Sequence, residues 1–404
     1  MSAQSFIIAA KRTPFGAFGG KLKDLTANEL GGIAAKAAIA SLPANMRTHL
    51  TTSTSPRQSV IFGNVLQSST DAPYLARHVG HRAGLPVTTP ANTVNRLCTS
   101  GFQSIICAVQ EIKVGDSDIV ITGGSESMSQ APYVLRNIRW GTKFGPEYMK
   151  MEDSLMSALS DRYPEVVPMA ITAERLAEKY NVTREECDQY ALQSQQRWAA
   201  ANQAGVFASE IEPIEVKVKR GTETMAADEH PRPQTVIESL AKLPPVFKKD
   251  GVVTAGNASG ISDGASAVVV ASEAAVNQHG VKPLARIVSY HVVGVEPGIM
   301  GIGPVEAIRG AVEKAGLSLA QMDLIEINEA FAAQVLACAK TLDVDPTKLN
   351  TSGGAIALGH PLGASGSRIM GHLAHRLQAT GGRYAVGSAC AGGGQGVAIV
   401  IEAL

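Results

Sequence analysis

Cys98 stands in the run Asn95-Arg96-Leu97-Cys98-Thr99-Ser100-Gly101-Phe102, after an extended, Pro-punctuated stretch and before a helical pattern. A thiol in the first turn of a helix faces unpaired backbone N–H groups and the positive end of the helix dipole. Both favour the thiolate, which is the nucleophilic form. The expectation is therefore a reactive Cys98 with a lowered pKa. A lone cysteine can equally be a buried structural thiol. The Thr-Ser-Gly neighbours favour the nucleophile, because they suit a tight turn into a helix N-terminus.

Three more segments carry residues suited to the same chemistry. In Gly359-His360-Pro361-Leu362-Gly363, Pro361 pre-organises the start of the next helix and aims His360. The neutral ring of such a histidine can take a thiol proton, or its N–H can face an oxyanion. In Ser388-Ala389-Cys390-Ala391-Gly392-Gly393-Gly394, the glycines let backbone N–H groups approach a ligand. The run alone would also fit a tight hairpin or a phosphate loop. A thiol with a reference pKa of about 8.5 is a sound acid/base for carbon or sulfur acids. Asn328-Glu329-Ala330-Phe331 follows an apolar strand. It reads either as a helix cap with an acid in the first turn or as an amide that orients a water or an oxyanion. A cysteine nucleophile, a histidine and a second cysteine in a glycine bed point to acyl transfer through a covalent thioester.

Other patterns are decoys. Gly301-Ile302-Gly303-Pro304 starts like a dinucleotide fingerprint, but Pro304 has no N–H and no later glycine completes it. Gly363-Ala364-Ser365-Gly366 falls one residue short of a nucleophile elbow. His372 and His375 lie in one helical pattern without a third ligand, so no metal site is expected.

These residues must be held by a chain of 404 residues that is 45% hydrophobic and 18% charged, a globular composition with ample core. Lys+Arg and Asp+Glu both number 36, which argues against nucleic-acid or membrane-surface partners. The five cysteines are widely spaced with no Cys-x-x-Cys, so neither a disulfide framework nor a zinc site is expected. No apolar run approaches the ~18 residues of a membrane span. The segment Lys11-Arg12-Thr13-Pro14-Phe15-Gly16 is basic, a targeting-like composition. It also continues a first strand from Ser5 to Ala10, so such a signal would be retained rather than cleaved.

Residues 1–125 alternate strand and helix patterns, with strands at Ser59–Asn64 and Asp118–Gly124 and a helix from Gly101 to about Val114. A largely parallel, doubly covered sheet is predicted. Residues 126–256 are richer in Met, Gln, Arg and Glu and read as an inserted domain. It holds helices at Ala170–Tyr180 and Arg184–Gln203 and a basic, loop-like stretch at Lys217–Pro233. Strand–helix alternation returns over 283–404: a strand at Ala285–Ser289, a helix at Glu306–Ala315, a strand at Leu324–Asn328, a helix at Gly363–Thr380 and a hairpin from Tyr384 to Glu402. Asn64 and Asn328 both end apolar strands, and Asn95-x-x-Cys98-x-x-Gly101 has a counterpart in Asn350-Thr351-Ser352-Gly353-Gly354. This echo suggests a duplicated unit with the site between the copies.

Assembled, the motifs around Cys98, Asn328, His360 and Cys390 resemble those of the thiolases over nearly the whole chain. Gly63-Asn-Val-Leu-Gln-Ser-Ser, Pro244-Pro-Val-Phe-Lys-Lys-Asp-Gly and Thr254-Ala-Gly-Asn-Ala-Ser259-Gly point to the degradative, mitochondrial branch that acts in fatty-acid β-oxidation. The resemblance implies an α/β fold of two duplicated halves packed as five layers (αβαβα) around an inserted loop domain. The stretch 257–282 would complete the first half. It implies an acyltransferase that cleaves 3-ketoacyl-CoA with CoA to acetyl-CoA and a shortened acyl-CoA. A biosynthetic acetoacetyl-CoA thiolase, or an acyl-CoA-binding or -hydrolysing protein on the same fold, are the alternatives. By resemblance, Cys98 carries the acyl group and His360 activates it. Asn328 holds a water for the first oxyanion, and Cys390 moves protons. The N–H groups of Cys98 and Gly392 form a second oxyanion hole. Arg232, Thr235 and Ser259 match CoA-contacting positions. Coenzyme A is a co-substrate, with no permanently bound cofactor expected. A homodimer or homotetramer in the mitochondrial matrix is implied. The Thr/Ser-rich stretch Ala44–Arg57 looks longer than usual and is read as a loop.

Overall fold

The computed structural model describes residues 4–52, 57–141, 150–218 and 221–404. In chain order, the elements that build the first half are β1 (Ser5–Arg12), α1 (Ala27–Ala40), α2 (Ala44–Thr52), β2 (Gln58–Gly63), α3 (Leu75–Arg82), β3 (Ala91–Val94), α4 (Ser100–Val114) and β4 (Ile119–Ser127). The middle of the chain contributes α5 (Met169–Tyr180), α6 (Arg184–Gln203), β5 (Ile214–Lys217) and β6 (Thr222–Met225). Then follow β7 (Ser262–Ser272), β8 (Ala285–Gly294), α7 (Gly303–Lys314), β9 (Leu324–Ile327), α8 (Ala332–Leu342), α9 (Ser365–Thr380), β10 (Tyr384–Ala391) and β11 (Gln395–Glu402).

Side-chain alternation along the strands creates the layers. In β7, Val268 and Val270 face one cluster while Ala267, Val269 and Ala271 face another. In β10 and β11, Ala385, Ala389, Val397 and Ile399 face that same first cluster, whereas Val386, Ala398 and Val400 face a third. A one-residue slip would exchange these sets, so burial on both faces fixes the register. The shared cluster is filled by Phe102, Ile105 and Val109 of α4 and Ile369, Met370 and Leu373 of α9. Helices α1 and α3 cover the outer face of one half, through Leu30, Ala34, Leu75 and Val79. Helices α7 and α8 cover the other, through Val305, Ile308, Ala333 and Val335. The result is five layers, αβαβα, with α4 and α9 in the middle.

The sheet is mixed rather than largely parallel. Its order is β9-β10-β11-β8-β1-β7-β4-β2-β3. Among the described residues, only the strand pairs β2–β3, β2–β4 and β9–β10 of this sheet run parallel. Strand β7 enters antiparallel between β1 and β4, and β10–β11 is a hairpin. Alternating strand and helix patterns carry no information about direction once a long insertion separates two neighbours. The halves join where β1 pairs with β8 over Ser5↔Ile287 to Ile7↔Ala285.

Two local readings need correction. Ala44–Thr52 is helix α2, with Met46 and Leu50 buried in the core. Ser53–Pro56 lie outside the described residues. Lys217–Pro233 is not all loop, because Thr222–Met225 pairs with Ile214–Lys217 and buries Met225. The middle region is tied down by a buried charge cluster. Arg12 bonds Glu210 at 2.8 Å and Asp228 at 2.6 Å, and His372 Nδ1 lies 2.8 Å from Glu210.

Candidate active site

The turn bearing Cys98 is locked by its neighbours' hydroxyls. Thr99 Oγ1 donates to Arg96 O (2.7 Å), Ser100 Oγ donates to Leu97 O (2.6 Å), and Arg96 N–H donates to Ser100 Oγ (2.9 Å). Leu97 is held at φ 50°, a left-handed conformation uncommon for a leucine. The helix starts at Ser100 with Thr99 as its cap, so Cys98 lies just outside the first turn rather than in it.

This placement overturns the expected lowered thiol pKa. Burial pushes the Cys98 thiol up to about 11, and the charge of Glu126 adds to the rise. The N–H groups of Gly392 and of Cys98 itself oppose it without winning. Cys98 is half-buried as a residue, yet its thiol is deep enough for desolvation to dominate. Two backbone donors converging on Sγ do place Gly392 beside Cys98. Gly392 opens the β10–β11 turn, in which Gly393 and Gly394 take φ 71° and 77°. That left-handed geometry favours glycine, which meets no Cβ penalty there.

His360 is buried and anchored by its N–H to Gly260 O (2.9 Å). Its Nδ1 lies 2.6 Å from Ser365 Oγ, which also donates to Pro361 O at 3.1 Å. With the serine proton committed there, Nδ1–H donates to the serine, and Asn328 Nδ2 donates to a bare Nε2 at 3.3 Å. We assign the ring this Nδ1–H tautomer, which leaves Nε2 able to take a proton. Burial first, then the Arg368 charge, lower the His360 pKa to about 3, so the ring is neutral.

Asn328 and Cys390 emerge at the carboxyl ends of adjacent parallel strands, where open α/β sheets place their ligands. Ile327 pairs with Ser388, and Asn328 N–H donates to Ser388 O (2.9 Å). Asn328 Oδ1 is buried with no protein partner among the described residues. Cys390 is buried beside Met300 and Ala330. Its thiol is pushed well above the usual range by burial and by the neighbouring Cys98 and Cys338.

The CoA-contact candidates divide. Ser259 adjoins the site: its N–H donates to Ala330 O (3.0 Å), and Gly260 holds His360. Arg232 is exposed, its backbone N–H held by Gln195 Oε1 at 2.8 Å, and Thr235 Oγ1 donates to Arg232 O at 2.7 Å. No contact joins Arg232 or Thr235 to the Cys98–His360 group among the described residues. His230, two residues earlier, packs on Gly260 and bonds Ala357 O at 2.9 Å, which brings this segment alongside.

Sequence reasoning missed three supporting residues. Ser365, seen only within a failed elbow motif, orients His360. Glu329 is a buried hub, accepting from Tyr190 OH (2.9 Å), Ser194 Oγ (2.6 Å), Asn350 Nδ2 (3.1 Å) and Ile356 N–H (3.1 Å). It fixes the backbone next to Asn328, and burial raises its pKa. Glu126 gave no signal in the sequence. Of the decoys, Gly303-Pro304 starts α7, His372 pairs with Glu210, and His375 Nε2 meets Ala10 O at 2.9 Å.

Comparison with known proteins places this geometry in a family. The model of the thiolase N-terminal domain matches residues 5–274, and that of the thiolase C-terminal domain matches residues 281–403. The chain is 62% identical to the human protein named mitochondrial 3-ketoacyl-CoA thiolase, over 98% of both chains. It is 43% identical to the beta-ketothiolase BktB of Cupriavidus necator, over 100% of each. A crystal structure of the human mitochondrial enzyme in complex with CoA superposes with a TM-score of 0.94 at 61% identity, covering 100% of this chain and 98% of that one. By these two domain matches and this identity, the chain belongs to the thiolase family.

Proposed function

We propose that this protein is an acyltransferase, a 3-ketoacyl-CoA thiolase that cleaves 3-ketoacyl-CoA with CoA to acetyl-CoA and a shortened acyl-CoA, reversibly, as in fatty-acid β-oxidation. The observation that supports the reading is a pair of linked contacts, the Gly392 N–H on the Cys98 thiol and the Asn328 amide on the His360 ring, with the Cys390 thiol beside Cys98. The 62% identity to a 3-ketoacyl-CoA thiolase, against 43% to BktB and 43% and 46% to two acetyl-CoA acetyltransferases, favours degradation over biosynthetic condensation.

Resting Cys98 is a thiol and His360 a neutral base, so the proton moves during attack rather than before it. Cys98 Sγ bonds to the C3 carbonyl carbon as its proton passes to His360 Nε2, whose lone pair the Asn328 amide N–H gives up in the same step. The resulting imidazolium, with a water held at Asn328 Oδ1, stabilises the oxyanion. Collapse re-forms the carbonyl and breaks the C2–C3 bond. The Cys390 thiol protonates the departing enolate to give acetyl-CoA. The Cys390 thiolate then takes the proton of incoming CoA, whose sulfur attacks the thioester carbonyl. The N–H groups of Cys98 and Gly392 receive that second oxyanion. Cys98 leaves as the thiolate and recovers its proton from His360. Leu66, Met128, Leu155 and Leu362 cluster against Cys98 and offer an apolar wall for the acyl chain.

Arg232, Thr235 and Ser259 line the approach for CoA, with the exposed guanidinium suited to the nucleotide phosphates. We divide the chain into a first half, 1–125 with 257–282, an inserted loop domain, 126–256, and a second half, 283–404. The outer edge of β3 has no partner strand within the described chain, which supports pairing with a second copy in a homodimer or homotetramer. The similar proteins are named mitochondrial, which supports a mitochondrial location, and within it we place the enzyme in the matrix.

The test has two arms. With 3-ketoacyl-CoA and no free CoA, peptide mapping should find the acyl group on Cys98. Acylation elsewhere sinks the reading. Initial rates at several CoA concentrations should give parallel double-reciprocal lines. Intersecting lines would mean that no free acyl-enzyme forms.

A further inference from the structure

Glu126 lies in β4 with its side chain fully buried, and among the described residues no cation pairs with it. Its Oε1 accepts from Asn64 Nδ2 (3.0 Å) and Leu66 N–H (2.9 Å). Its Oε2 accepts from Val65 N–H (3.1 Å) and Gly363 N–H (2.9 Å). A buried carboxylate without a counter-ion persists only if donors satisfy it. These donors come from two places only. Asn64, Val65 and Leu66 follow β2, and Val65 and Leu66 pack in the cluster that holds Cys98. Gly363 is the third residue after His360. The carboxylate therefore ties the loop that carries the base to the wall that carries the nucleophile.

We propose that Glu126 is a positioning residue for thiolysis: its carboxylate, bridging Gly363 N–H and the Asn64–Leu66 loop, sets the placement at which His360 meets Cys98. The proposal rests on the reaction assigned above. The titratable groups facing Glu126 are Asp263, from β7, and Cys98. Burial, with Asp263 adding to it, raises the Glu126 carboxyl to about 7. Protonation would turn one accepting oxygen into a donor and leave the N–H groups facing it without an acceptor. The bridge thus exists in the ionised state and weakens as pH falls through this range.

The experiment measures kcat, KM and the rate of Cys98 acylation against pH for wild type, Glu126→Gln and Asn64→Ala. In wild type, acylation should show a one-proton acid limb near pH 7. Glu126→Gln should acylate Cys98 about 10²-fold more slowly, the cost of a small misplacement of reacting groups. It should lack the limb, with KM for the CoA thioester within about threefold of wild type, since no binding contact is removed. Asn64→Ala removes one donor from the carboxylate and should move the limb to higher pH. Wild-type acylation rates in Glu126→Gln, or persistence of the limb in that variant, would overturn the proposal. If Glu126→Gln fails to fold by circular dichroism, Asn64→Ala decides: an unmoved limb overturns the proposal and an upward shift sustains it. A wild type that never acylates Cys98 would bring down the assigned reaction and this proposal together, and is distinguishable from slow acylation in the variants alone.

Discussion

Ser365 Oγ lies 2.6 Å from His360 Nδ1, so a serine five residues downstream determines which ring nitrogen of the histidine is bare. Ser365→Ala removes the acceptor that holds the Nδ1 proton. A lost hydrogen bond of roughly 1–1.5 kcal/mol corresponds to about a tenfold fall in kcat. KM for the CoA thioester should change little. Steady-state kinetics check this, and an unaltered kcat would show that the tautomer is fixed by something else.

The raised Cys98 thiol has a direct chemical consequence. Only thiolate reacts with iodoacetamide. With the thiol pushed up to about 11, inactivation of the free enzyme should keep accelerating with pH through 9 and 10. A plateau reached below pH 8 would mean a resting thiolate, contrary to the structure.

Cys390 is assigned to protons and Cys98 to the acyl group, and one substitution separates the roles. Cys390→Ser should lose about 10²–10⁴-fold in turnover, the usual contribution of a positioned acid/base. Acylation of Cys98 from an acyl-CoA should still be detectable by mass spectrometry. Wild-type turnover in this variant would remove Cys390 from the mechanism.

Arg232 carries an exposed guanidinium, proposed above to meet the nucleotide end of CoA. Arg232→Ala should raise KM for CoA by roughly tenfold, the scale of one charge-assisted hydrogen bond, with kcat retained. A fall in kcat at constant KM would place the arginine elsewhere in the cycle.

His360 also leaves a mark on stability. Its pKa falls from 6.5 to about 3 on folding, so below pH 6.5 the unfolded chain takes up a proton that the folded chain refuses. Stability should drop as pH falls from 6.5 towards 3, by up to roughly 1.4 kcal/mol per pH unit. Glu126 works in the opposite sense. Its carboxyl rises from 4.5 to about 7, so its contribution declines as pH increases across that interval. Chemical denaturation of wild type and His360→Asn over this range isolates the first effect. Parallel stability curves would show that the histidine is not held neutral.

The sequence exposed the groups that react better than the groups that hold them. Cys98, His360 and Cys390 stand in glycine-, proline- and hydroxyl-rich runs whose turn chemistry is local and readable. The duplication was readable for the same reason: the bridge–turn–bridge at Arg96–Cys98 recurs at Thr351–Gly353. Glu126 gave no signal and Glu329 read only as an acid at a helix start, because each becomes significant through donors 21 to 237 residues away in the chain. Strand direction was lost likewise, since β7 returns to the first half across the whole insertion. The Cys98 pKa was misjudged because a helix N-terminus is legible in a sequence and desolvation is not.

Where α4 passes the segment after His360, the two meet main chain to main chain. A Cβ added at Gly101 would come within 2.5 Å of Ser367 N and 3.0 Å of Gly363 O, and one at Gly124 would strike the Gly363 carbonyl. Peptide units have no rotamers to choose among. The separation between nucleophile and base is therefore gauged by covalent backbone dimensions, much as a machined shoulder sets a gap. One methyl inserted at the shoulder itself would pass straight into the gap.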